Sequence, residues 1–212
     1  MNTISFPSGI RNVIFDFGGV LFEIDYELPA LAFEKLGFAD FRSFYTQAAQ
    51  NPMFDLLETG KVGNDEFIDF LHRFVPSASR EEVLHAWNVI LLRIWTSEVE
   101  FVHSLRRSGV RTFLLSNTNA IHVAEFEKMI AQSMDFELFK NAFERVYYSN
   151  AIGIKKPYPE TFLQVCEWNG LNPSETLFID DSLQHVEGAK RAGLHAYHFK
   201  SGDRISELLK DI

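Results

Sequence analysis

Six polar residues stand where short apolar runs stop. Asp16 lies at the end of NVIFDF (12–17), just ahead of Gly18 and Gly19. Ser116 closes RTFLLS (111–116) and is followed by Asn117. Lys155 and Lys156 come a few residues after RVYYS (145–149), and Asp180 closes TLFID (176–180) with Asp181 next to it. A short carboxylate beside a Gly-Gly turn suits a nucleophile that forms an acyl-phosphate, a metal ligand, or a turn cap. The glycines let backbone amides approach an anion closely. The Asp180-Asp181 pair supplies the hard oxygen donors that Mg²⁺ favours, or the acids that a helix dipole draws to its start. Lys156 precedes Pro157 and so lies on extended backbone. There it can neutralise a carboxylate nucleophile and an incoming phosphate. Lys155 reads as a solvated surface lysine. Ser116 and Asn117 offer a hydroxyl and amides to a phosphoryl oxygen, or serve as a helix cap.

These residues act together only if one architecture brings the run ends to one place. The runs 12–17, 111–116, 145–149, 176–180 and 195–199 are short and β-rich. Helical patterns at 98–107, 120–131, 159–168, 184–192 and 203–210 alternate with them, several closed by a glycine. Strand–helix alternation implies a parallel sheet covered by helices on both faces, with the ligand site at the carboxyl ends of the strands. All six residues would then meet in one crevice, and three carboxylates there call for a cation. Residues 24–95 differ: they show helix-like segments at about 27–36, 39–49, 64–74 and 80–94 and no clear strand. The expectation is an α/β protein with a Rossmann-like core (1–23 and 96–212) and an inserted all-helical cap (24–95) over its active edge.

Composition removes other classes. The 212 residues are 46% hydrophobic and 23% charged, enough for a sizeable core. A net charge of -9 with no basic cluster argues against nucleic acid or an anionic membrane as partner. A single cysteine, Cys166, excludes an intramolecular disulfide framework and a cysteine-rich zinc site. It falls on the same helical face as Phe162 and reads as a buried thiol. No apolar run approaches the length of a membrane span, and the first residues do not pattern as a secretory signal. A cytoplasmic location is expected. The seven histidines are scattered; His185, four residues after Asp181, lies near the crevice and reads as either a helix-start residue or a site contact. There is neither a dinucleotide fingerprint nor a P-loop.

The set VIFDFGGVL (13–21), FLLSNTN (113–119), SNAIGIKKPYPETF (149–162) and LFIDDSLQHVEGAKRAG (177–193) resembles the haloacid dehalogenase-like hydrolase superfamily in order and spacing. The stretch FGGVLFEIDYE (17–27) is similar to its helical-cap branch that includes bacterial α-glucose-1-phosphate phosphatases. The resemblance implies Asp16 as the nucleophile, with Mg²⁺ held by Asp16, the Gly18 carbonyl and Asp181, supported by Asp180. It also implies Ser116 and Asn117 at the phosphoryl oxygens and Lys156 as the motif lysine. The implied activity is a Mg²⁺-dependent phosphatase that hydrolyses a small phosphorylated metabolite such as a sugar phosphate.

One position departs from the pattern. Phosphatases that resemble this chain usually carry a second Asp two residues after the nucleophile, where it protonates the leaving alcohol and then activates water. Gly18 stands there. A non-catalytic relative that binds a phosphometabolite or a protein is therefore one alternative. A 2-haloacid dehalogenase is another, and the tandem Asp180-Asp181 argues against it.

Overall fold

A computed structural model describes residues 9–45, 52–210 and 212. The chain begins with β1 (Asn12–Phe15) and a short β2 (Phe22–Ile24). Five helices follow: α1 (Glu27–Lys35), α2 (Phe41–Phe44), α3 (Pro52–Glu58), α4 (Asn64–His72) and α5 (Arg80–Asn88). Then come β3 (Leu91–Ile94), α6 (Thr96–Arg107), β4 (Arg111–Ser116), α7 (Ala120–Ser133), α8 (Phe136–Asn141), β5 (Arg145–Tyr148) and α9 (Ser149–Ile152). The chain ends with α10 (Pro159–Asn169), a 3₁₀ turn (Pro173–Glu175), β6 (Thr176–Asp180), α11 (Leu183–Arg191), β7 (His195–His198) and α12 (Ile205–Leu208).

Five strands form one parallel sheet in the order β5-β4-β1-β6-β7. β1 is central, flanked by β4 and β6, so the strand order reverses across it. Its carboxyl end is the switch point at which an open α/β sheet opens a crevice. The period of two sorts the strand side chains. Val13, Phe15, Leu114, Leu177 and Ile179 face one apolar cluster with Val99, Val102, Phe126 and Ile130. Ile14, Phe113, Leu115 and Phe178 face the other, with Phe162, Val165 and Cys166. Burial on both faces explains why these strands read as unbroken apolar runs.

A third cluster fills the space among α1 to α5, with Phe33, Phe41, Phe54, Phe67 and Trp87 all buried. Phe33 and Phe41 stack at 4.2 Å, and Phe54 and Trp87 approach to 5.5 Å. Seven of the chain's 21 phenylalanines lie in or against this small core. Ile121 of α7 joins it from the sheet side.

Segments of the helical block differ from the sequence reading, which placed no helix at α3 (Pro52–Glu58). The helix expected over 80–94 stops at Asn88, and Leu91–Ile94 pairs antiparallel with β2, Phe22 opposite Ile94. Both chain crossings between the helical block and the sheet therefore run through one two-stranded ribbon. The helix expected over 39–49 forms at Phe41–Phe44, and its last residues lie outside the described ones. Among the described residues, no helix is long and apolar enough to cross a membrane.

Candidate active site

Asp16 directly follows β1, and its N–H still bonds to the Ile179 carbonyl at 2.9 Å, which continues the ladder toward β6. The chain then folds back at once: the Phe17 carbonyl accepts from the N–H groups of Val20, Leu21 and Phe22. This turn needs glycine at position 19. Gly19 has φ +73°, and a Cβ there would sit 2.4 Å from Asp181 Oδ2. The Asp181 carboxylate thus lies against the loop that follows Asp16. At position 18 a Cβ would meet Ile24 Cδ1 at 2.7 Å, so the β2 side chain takes the room that a larger residue would need.

Lys156 is 1% exposed. Its ammonium donates to Asp16 Oδ1 and to Asp180 Oδ2, both at 2.7 Å, and lies 5.3 Å from the centre of the Phe178 ring. Asn117 fixes the backbone beneath it: Asn117 Oδ1 accepts from the Lys156 N–H at 3.0 Å, and Asn117 Nδ2 donates to the Lys156 carbonyl at 2.9 Å. The Asn117 side chain is thus committed to positioning the lysine. Ser116 is buried at the end of β4 and lines the cavity.

Asp180 is fully buried. Its Oδ1 accepts from the Ser182 N–H at 2.7 Å, and His185 Nδ1 approaches both carboxylate oxygens at 3.0–3.1 Å. His185 is therefore a contact of the site's buried acid. Asp16, Asp180 and His185 each place a ligand atom within 4.8 Å of the others.

One ammonium between two buried carboxylates can offset only one of them. Burial alone would raise Asp180, but the Lys156 ammonium and then the hydrogen bond from His185 outweigh it and hold the carboxyl at about 2. Asp16 carries the remainder. Burial, then the charge of Asp180, pushes it up to about 6 against the pull of Lys156 and His185. Burial also opposes the charge on Lys156, and the two carboxylates overcome it, so the ammonium holds its proton more tightly than usual. A cationic ligand placed by Asp16 would relieve the remaining negative charge.

Lys155 is not the solvated lysine that the sequence suggested. Its side chain is 16% exposed, and its ammonium pairs with Asp55 and, at 2.8 Å, with Glu58. Both acids belong to α3, so this cluster ties the helical block to the loop that carries Lys156. A second tie was also missed. Asn119 caps α7 through the N–H groups of Ile121 and His122 and donates to His122 Nδ1 at 3.0 Å. His122 Nε2 then donates to the Trp87 carbonyl at 3.2 Å, and the two rings stack at 4.7 Å. Burial keeps this imidazole neutral, with its pKa lowered to about 4. Cys166 is buried in α10, and burial pushes its thiol up to about 11, which suits a packing role.

A cavity of about 340 Å³ lies between the sheet edge and the helical block. Its floor is Lys156, Ser116 and Asn117, and its roof includes Tyr26, Tyr45 and Glu58. The profile of the family described as haloacid dehalogenase-like hydrolase matches residues 10–193.

The chain belongs to the haloacid dehalogenase-like hydrolase family.

A curated relative in this family is the D-ribitol-5-phosphate phosphatase of Bacteroides thetaiotaomicron, 31% identical over 194 residues that cover 91% of this chain and 93% of the relative. A phosphoglycolate phosphatase of Nitrosospira multiformis is 25% identical and covers 96% of this chain and 90% of its own. A solved haloacid dehalogenase-like enzyme of B. thetaiotaomicron, in complex with magnesium and inorganic phosphate, superposes with a TM-score of 0.83. It is 33% identical, covering 94% of this chain and 99% of that one. The five-stranded parallel sheet and the helices around it are the Rossmann-like fold of the family.

Proposed function

We propose that this chain is a Mg²⁺-dependent phosphatase that removes the phosphoryl group of a small metabolite through an aspartyl-phosphate on Asp16. The observation that carries this reading is the buried Asp16–Lys156–Asp180 array at the carboxyl end of the central strand. It sets a carboxylate with uncompensated charge against Lys156, which lines the cavity beside Phe17 and Gly18. The phosphatases among its relatives, and the magnesium and phosphate bound by a similar solved enzyme of the family, support it.

The donor set suits a hard divalent cation. Asp16 and the Asp181 carboxylate flank the Gly18-Gly19 loop, so Asp16, Asp181 and the Gly18 carbonyl would hold the ion. Asp180 supports them from behind through Lys156, because its oxygens already accept from Ser182, Lys156 and His185. The ion would supply charge neutralisation for the bound phosphate.

In the proposed reaction an Asp16 oxygen attacks phosphorus opposite the leaving oxygen. The new P–O bond forms as the ester P–O bond breaks, and water later returns the carboxylate and releases phosphate. Lys156 neutralises oxygens of the transferring group, and Ser116 with nearby backbone amides holds them. Gly18 supplies no acid to the leaving alcohol, so the proton comes from another donor or from water. Residues 24–95 act as a cap whose closure excludes bulk water.

Phosphate release from p-nitrophenyl phosphate, acetyl phosphate and hexose phosphates, with Mg²⁺ and with EDTA, tests the proposal. Mg²⁺-dependent release from the hexose phosphates is expected. No release from any ester would sink it and leave a binding protein. Asp181→Ala is expected to raise the Mg²⁺ concentration needed for half-maximal activity by about 10–100-fold, the scale at which metal-site partners act. An unchanged magnesium titration would remove Asp181 as a ligand.

A further inference from the structure

The cavity contains two lysines, and carboxylates already match both. Lys156 lies between Asp16 and Asp180. Lys155 lies between Asp55 and Glu58 of α3. Neither histidine of the lining offers a spare cation. His122 uses both ring nitrogens and stays neutral, and His185 turns Nδ1 to Asp180. No arginine lines the cavity among the described residues. Residues 46–51, outside the described set, include no Lys, Arg or His.

The consequence falls on the part of the substrate that leaves. The phosphoryl group meets Lys156 at the floor. The rest of the molecule meets Lys155 with its two acids, together with Tyr26 and Tyr45. A hydroxyl can donate to a carboxylate there and accept from a phenol. A second anionic group would lose its hydration without gaining a cation, and it would face two carboxylates that already claim Lys155. Burial pushes both phenols upward in pKa, so they remain neutral hydrogen-bonding groups.

We infer that the Lys155–Asp55–Glu58 cluster is a charge filter: it admits phosphate esters of neutral, hydroxylated alcohols and rejects those whose leaving group carries a second anion. The inference rests on the phosphatase reading and adds the residues that set specificity. Lys155 is the specificity-determining cation, held down by the two acids of α3.

Glycerol 3-phosphate and 3-phosphoglycerate test it, since they differ mainly in a hydroxymethyl group against a carboxylate. In the wild-type protein kcat/KM is expected to favour glycerol 3-phosphate by about tenfold or more. Converting Asp55→Asn together with Glu58→Gln exposes the Lys155 charge and is expected to shrink that preference by about tenfold, mainly by lowering KM for 3-phosphoglycerate. If the double variant does not fold, Glu58→Gln alone gives the same comparison with a smaller shift. If the protein turns over p-nitrophenyl phosphate but neither ester, their inhibition constants against that reaction show the same ratio. Equal use of the two esters by the wild type, or a ratio unmoved in the folded variant, overturns the filter and leaves the phosphatase reading standing. No hydrolysis of any ester, p-nitrophenyl phosphate included, removes the phosphatase reading and the filter with it.

Discussion

Asp16→Asn is expected to lower phosphate release by at least about 10⁴-fold while the protein still folds, as loss of a covalent nucleophile does elsewhere. Asparagine keeps the shape of the side chain and loses the charge and nucleophilicity of the carboxylate. Its effect on stability follows from the same geometry. In the native state Asp16 is raised to about 6 from an ordinary 3.8, so the fold prefers the protonated form. The stability gained from that preference is complete below pH 3.8 and is lost as pH rises through 6. At pH 8, with EDTA present, the ionised carboxylate is a cost that the variant lacks. The variant also leaves Lys156 paired one-to-one with Asp180. Thermal melts at pH 8 in EDTA should therefore show Asp16→Asn at least as stable as the wild type. A loss much smaller than about 10⁴-fold would remove Asp16 as the nucleophile. A large drop in melting temperature would show that the array needs both carboxylates to fold.

The opposite change at the same site should be the most destabilising of the variants named here. Lys156→Met removes the cation that lies 2.7 Å from two buried carboxylates and leaves them facing each other. Breaking a buried pair by deleting one partner costs about 3–5 kcal/mol, because the surviving charge stays buried without compensation. Activity should fall as well, by about 10²–10³-fold, the scale of losing one charge-stabilising group. The stability loss should depend on pH in a defined direction. Without Lys156 the two acids repel more strongly, so Asp16 protonates more readily. The deficit should therefore be largest near pH 8 and shrink as pH falls toward about 6, where Asp16 is protonated in both proteins. Denaturant melts at pH 5 and pH 8 check this. A deficit that is equal at both would mean that the loss comes from packing, for example of the aliphatic stem over Phe178.

The sequence was informative where structure depends on local pattern. β1, β4 and β6 are apolar on both sides because the sheet is covered on both faces, so they stand out as unbroken runs. Asp16, Ser116 and Asp180 could be placed at one edge because parallel strands put all their carboxyl ends together. Contacts that join distant parts of the chain were hidden. β2 and β3 have three and four residues, and their pairing links Phe22 to Ile94. No local period marks such a ribbon. Lys155 looked solvated because its partners, Asp55 and Glu58, stand about a hundred residues earlier. The two bonds from the Asn117 side chain to the Lys156 backbone span 39 residues of sequence and had no local signal. α3 was missed for a different reason: its seven residues are too few for a helical period to stand out.

The central position of β1 also affects how the protein is made. Residue 12 pairs with residue 111 on one side and with residue 176 on the other. During synthesis the first strand leaves the ribosome with neither neighbour in existence, and its second edge stays bare until most of the chain has been translated. The aromatic cluster of α1 to α5 draws nearly all its members from one stretch of sequence, so it can condense while β1 still waits. A nascent chain arrested before residue 176 would hold a hydrophobic strand with one open edge, the kind of surface that recruits chaperones or pairs with another chain.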